Sequence, residues 1–127
     1  MKQTVNFTAS PHKVFEALMD SKQHSEFTES KCTISRKING KISAYDGYIE
    51  GKNLELVKDK KIVQEWRASD WPEKHYSQAS FELAKAKTGT QLKFTQTNVP
   101  KEQFEAISDG WKEHYWNKMI IKFNRIL

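Results

Sequence analysis

The chain has 127 residues, 37% of them hydrophobic and 29% charged, which suits one domain with a full core and no need of covalent staples. A single cysteine, Cys32, excludes an internal disulfide, and no apolar run approaches the length that crosses a bilayer, so a cytoplasmic, reducing environment is expected. The formal net charge of +5 comes from 21 basic residues dispersed among 16 carboxylates; no compact basic run marks a nucleic-acid or membrane ligand, and the charges read as a solvated mixed surface, with an acidic protein partner as the alternative.

Residues 2–8 alternate as an edge strand, with Val5 and Phe7 on one face. Ser10 and Pro11 are an N-cap and a first helical residue, followed by Val14, Phe15 and Leu18 at helical spacing. A second short helix is expected over residues 22–27, capped by Asp20 or Ser21. Residues 31–37 read as a strand that turns at Asn39-Gly40 into a hairpin partner at residues 41–45. After a break at Asp46-Gly47, residues 48–57 form a longer strand in which Gly51 suggests a bulge or bend.

Residues 61–69 place Ile62, Trp66 and Ala68 on one face and Glu65 and Arg67 on the other. Pro72 makes residues 70–73 a loop. Residues 76–85 and 90–99 pair around Thr88-Gly89, with Ala79, Phe81, Leu83, Leu92 and Phe94 turned inward. From Glu102 the chain reads as one amphipathic helix with two apolar stripes, Phe104, Ile107, Trp111, Tyr115 and Met119, then Trp116, Ile120, Phe123 and Leu127. Gly110 within it suggests that the helix approaches the sheet backbone closely at that point. The sum is a single α+β domain over residues 1–127, a sheet closed by a long C-terminal helix, an arrangement that tends to leave a groove or cavity between the layers.

Motifs for chemistry are missing from the sequence. None of the four histidines stands at metal-ligand spacing from another or from Cys32, so no metal site and no cofactor is expected. His12 and His24 are expected on exposed helix surfaces and His75 in a loop; His114 flanks the tryptophan stripe, at the surface or facing a pocket. There is no GxSxG elbow, the five glycines are too dispersed to cradle a phosphate, Glu50 and Glu55 read as surface charges, and Cys32 reads as a buried thiol. No catalytic residue is assigned. Trp66, Phe81, Phe94, Trp111 and Tyr115 either fill a core or line a partly open apolar cavity. Trp71, in the Trp-Pro-Glu loop, is expected to be exposed, for a partner contact or for packing at a rim.

The stretches DGYIEGKNLELVKDKKIVQEWRASDWPEKHYS, TGTQLKFTQTNVP and DGWKEHYWNKMIIKF, preceded by TASPHKVFEALMDSKQHSEFT, together resemble the C-terminal domain of activators of the heat-shock protein 90 ATPase (Aha-type co-chaperones). The resemblance implies a helix-grip fold of the START/Bet v 1-like kind, with two small helices after the first strand and a curved antiparallel sheet. It also implies cytosolic, non-enzymatic co-chaperone work, in which this domain binds the chaperone's dimerised N-terminal region and favours its closed state. The basic stimulatory motif of the family's separate N-terminal domain has no counterpart, since the SRKING turn at residues 35–40 lies inside this domain. On this reading Trp71, Lys74 and His75 in the loop and Lys112, Lys118 and Lys122 on the helix are the candidate partner contacts. The alternative is a carrier or sensor of a small apolar ligand or lipid, held by the five aromatic residues between sheet and helix. An enzyme acting on an apolar substrate would need His114 to point into that cavity.

Overall fold

A computed structural model describes residues 1–124. Seven strands form one antiparallel sheet in the order β1-β7-β6-β5-β4-β3-β2, which curves around the C-terminal helix. The strands are β1 (Lys2–Phe7), β2 (Thr33–Ile34), β3 (Lys41–Ala44), β4 (Ile49–Val57), β5 (Lys61–Ala68), β6 (Ser77–Ala86) and β7 (Gly89–Thr97). Helices α1 (Pro11–Met19) and α2 (Ser21–Thr28) carry the chain from β1 at one edge to β2 at the other. This is the helix-grip order, and α+β is the fold class.

Local chemistry fixes the two small helices. The Ser10 hydroxyl accepts from the Lys13 amide at 3.3 Å and Pro11 opens α1. Asp20 ends α1 by donating its amide to the Glu16 carbonyl at 2.8 Å, and its carboxylate starts α2 by accepting from the Gln23 amide at 3.1 Å. One residue thereby satisfies orphan groups of both helices and sets a tight corner.

The strand expected over residues 31–37 shrinks to Thr33–Ile34, because side chains take its backbone groups. The Ser25 hydroxyl accepts from the Cys32 amide at 2.9 Å and the Ser21 hydroxyl from the Ile34 amide at 2.8 Å. Farther on, Asn53, which is fully buried, donates through Nδ2 to the Ser35 carbonyl at 2.7 Å and the Lys37 carbonyl at 3.0 Å. Its Oδ1 accepts from buried Gln64 at 3.1 Å. The irregularity expected at Gly51 lies instead between Asn53 and Glu55, where the β4–β5 register shifts. Gly51 serves a different end: a Cβ there would run into the Glu65 carbonyl of β5.

After a 3-10 turn (Lys101–Gln103) the chain enters α3 (Phe104–Gly110), a π-helical stretch (Trp111–Trp116) and α4 (Asn117–Asn124). Both junctions keep right-handed helical angles, so these pieces form one continuous rod. Of the expected stripes, Trp111, Tyr115, Trp116 and Met119 are buried and Ile107, Ile120 and Phe123 pack against the core. Phe104 is exposed, because the helix's first turn stands off the sheet. Leu127 lies outside the described residues.

Gly110 does not mark a close approach: a Cβ there would meet only His114 Cδ2, at 3.9 Å. Its backbone faces open space rather than the sheet.

Candidate functional site

The interior between sheet and helix is an aromatic stack. Phe94 lies 4.4 Å from Trp111 and 5.1 Å from Phe81 by ring centroids, Trp66 lies 5.4 Å from Trp111, and Trp111 lies 4.6 Å from Tyr115. These five residues, placed together from sequence, do meet and are all buried. They pack on one another so closely that the enclosed space beside them is about 20 Å³, room for roughly one water.

Two glutamine amides, the buried Gln96 and the half-buried Gln3, fasten the helix to the sheet. Trp111 donates its indole N–H to Gln96 Oε1 at 2.7 Å, Gln96 Nε2 donates to the Ser77 hydroxyl at 2.9 Å, and that hydroxyl donates to the Trp66 carbonyl at 2.6 Å. Trp116 donates to Gln3 Oε1 at 2.6 Å, while Gln3 Nε2 donates to the Ser108 carbonyl at 3.0 Å. Sequence reasoning missed Gln96 and Gln64. The signal was present: Leu92, Phe94 and Gln96 share one strand face, as do Ile62, Gln64 and Trp66.

A second tie joins α2 to the helix. His24, expected at the surface, is buried. Its Nδ1 contacts the Leu18 carbonyl at 2.9 Å, which can only accept, so Nδ1 carries the hydrogen and Nε2 accepts from the Tyr115 hydroxyl at 2.8 Å. Burial lowers the His24 pKa to about 4, only partly offset by the bond to Leu18, and raises that of Tyr115 well above its usual 10. The pair is therefore neutral near pH 7.

The larger space is an open groove of about 670 Å³ where the first turns of the C-terminal helix leave the sheet. Trp66, Trp111, Tyr115 and Ile49 line it from the core, Tyr45 and Tyr48 from the β3–β4 connection, and Ile107, Asp109, Gly110, Glu113 and His114 from the helix. Phe81 and Phe94 do not reach it. Tyr45 donates to the His114 carbonyl at 3.2 Å and closes one end; burial pushes its pKa up to about 12. The His114 side chain is exposed on the rim.

The expected partner contacts divide. Trp71 is buried, not exposed, against Trp66 at 5.4 Å. Arg67 donates to the Trp71 and Pro72 carbonyls at 3.0 and 3.2 Å and folds this loop inward. Lys74 is exposed with a left-handed backbone (φ 58°), and His75 contacts the Asn98 carbonyl through Nε2 at 2.8 Å. Lys112 is exposed, Lys122 is half-buried, and Lys118 pairs with Glu29 at 3.2 Å. Cys32 is buried beside the Thr28 hydroxyl at 3.4 Å. His12 is exposed and lies 3.0 Å from Asp59. No cluster of potential metal ligands occurs among the described residues, and no helix there is long and apolar enough to cross a membrane.

The model of the family described as "Activator of Hsp90 ATPase homolog 1-like protein" matches residues 8–120. The "Activator of 90 kDa heat shock protein ATPase homolog" of Dictyostelium discoideum is 31% identical over 125 residues, covering 98% of this chain and 33% of that protein. The human "Activator of 90 kDa heat shock protein ATPase homolog 1" is 27% identical, over 91% of this chain and 34% of its own length. The chain thus spans about a third of the length of the curated relatives it matches. Among solved structures, an HSP90 activator from Plasmodium falciparum is 26% identical with a TM-score of 0.88, covering 96% of this chain and 94% of that one. The Aha1 dimer from Colwellia psychrerythraea shares the fold alone, at 17% identity and a TM-score of 0.79 over 98% and 92% of the two chains. A match across both small helices, strands β2 to β7 and most of the last helix places the chain in the activator of Hsp90 ATPase homolog 1-like family.

Proposed function

We propose that this chain is a non-enzymatic co-chaperone-like protein that binds heat-shock protein 90 and favours its closed state. The observation that carries this reading is the family match over residues 8–120, joined to the shape shared with a Plasmodium falciparum HSP90 activator. A binder shifts its partner's equilibrium only by the difference in its affinity for the two states, so a rigid surface that fits one of them suffices. The indole-to-glutamine ties and the filled core give the domain such rigidity.

The +5 charge favours encounter with an acidic surface. Lys74 and His75 beside the folded loop, and Lys112, Lys118 and Lys122 along the helix, are the proposed contacts. Trp71 takes part indirectly, by holding the loop that presents Lys74. Lys118 would have to exchange Glu29 for a carboxylate of the partner. The test is titration of the chaperone with wild type and with the Lys112→Glu, Lys118→Glu double variant at two salt concentrations. Weaker binding that converges with wild type at high salt supports the surface; equal affinity at low salt removes both lysines from it.

The enclosed-cavity carrier has little to support it, since the enclosed pocket beside the aromatic stack leaves room for about one water. Any ligand role would fall to the open groove.

A further inference from the structure

We propose that the open groove binds a small amphipathic organic cation, an ammonium group on an apolar body. This goes beyond the chaperone reading and stands independently of it. The groove's size, about 670 Å³, lies in the range of small-molecule sites. Its inner wall is apolar and aromatic, formed by Trp66, Trp111, Tyr115 and Ile49. These four side chains show only a few per cent of their surface there, and the half-buried Tyr45 and exposed Tyr48 add aromatic area, the kind of wall that attracts a cation and packs against a hydrocarbon.

The charge on the rim points the same way. Asp109 and Glu113, one helical turn apart, are both exposed and line the opening, and neither forms an ion pair among the described residues. No lysine or arginine lines the groove, although the chain carries 21 of them. The groove is thus a negative opening with an aromatic lining in a basic protein. An anion would meet the two carboxylates with no compensating cation, and a neutral alkane would leave them unused. An ammonium on an apolar body satisfies both features.

Gly110 keeps the space open. It lines the groove, and a Cβ there finds only the His114 ring edge at 3.9 Å, so a longer side chain has room to start into the ligand's place.

The test uses octyltrimethylammonium, with octanol and octanoate as matched neutral and anionic probes, followed by calorimetry and by the fluorescence of Trp66 and Trp111. The expected result is saturable binding of the ammonium, octanol about tenfold weaker and octanoate weaker still, the scale of one cation–aromatic or ion contact. Asp109→Asn with Glu113→Gln should bring the ammonium down to the affinity of octanol, and Gly110→Met should abolish binding while thermal unfolding stays cooperative. Equal affinity for ammonium and octanol, an ammonium affinity unmoved by the double variant, or no binding of any probe would each overturn the proposal. Chaperone binding by the same variants is read in parallel, so failure in the groove and failure of the co-chaperone reading remain distinct.

Discussion

Trp111 and Trp116 stack with ring centroids 5.5 Å apart and planes 20° from parallel, although five residues separate them. In a regular α-helix that separation turns a side chain by about 140°, which would send one indole toward solvent. The π-helical stretch, with its i to i+5 hydrogen bonds, is more widely wound and turns residue i+5 closer to the face of residue i. Both indoles thereby face the sheet, where Gln96 and Gln3 accept their N–H groups.

Replacing Gln96 with Leu should expose the dependence on that arrangement. The size is nearly conserved, but the Trp111 indole loses its acceptor in a buried setting. A loss of about 1–3 kcal/mol is expected, read from the urea midpoint at constant slope.

Asn53→Leu should cost a similar amount, about 1–3 kcal/mol, because the Ser35 and Lys37 carbonyls and the Gln64 amide lose their partner together. The damage should be local. Amide exchange is expected to rise first across residues 35–40, and unchanged protection there would contradict the role given to Asn53.

His24 makes stability depend on pH. Its folded pKa of about 4 lies below its ordinary value of 6.5, so between these values the unfolded chain binds the proton and the folded chain does not. Stability therefore falls as the pH drops through this window, by a total on the order of 3 kcal/mol, and the effect is complete below the folded pKa. A His24→Phe variant should lack this component. Urea unfolding of both proteins from pH 7 to pH 4 measures the difference, and parallel curves would show that His24 does not titrate as described.

Gly110→Ala should stabilise the protein, by up to about 1 kcal/mol, since it removes a helix-interior glycine and meets no atom closer than ordinary contact. Thermal unfolding reads this directly. A drop in midpoint would restore the close approach that the sequence suggested.

That reversal shows where the sequence stops being readable. A glycine in a helix has the same appearance whether it faces a neighbouring backbone or an empty groove, because the difference lies in what stands opposite. Alternation predicted the faces of β5, β6 and β7 and the turn chemistry around Asp20 and Asn39, because those depend on neighbours in the chain. The aromatic set was legible for the same reason. His24 was not, since α2 is a short polar helix that buries few side chains, among them a histidine whose partner, Tyr115, lies 91 residues away. Trp71 likewise takes its place from Trp66 and Arg67, which only the folded strand brings together. The π-helical stretch leaves no periodic signature because it lasts six residues.

The measurement that bears most directly on the account is binding of this chain to the cognate heat-shock protein 90, with and without a non-hydrolysable ATP analogue. The account predicts tighter binding when the nucleotide holds the chaperone closed. Equal affinity in both states, or no binding to a chaperone shown to be competent, would contradict it.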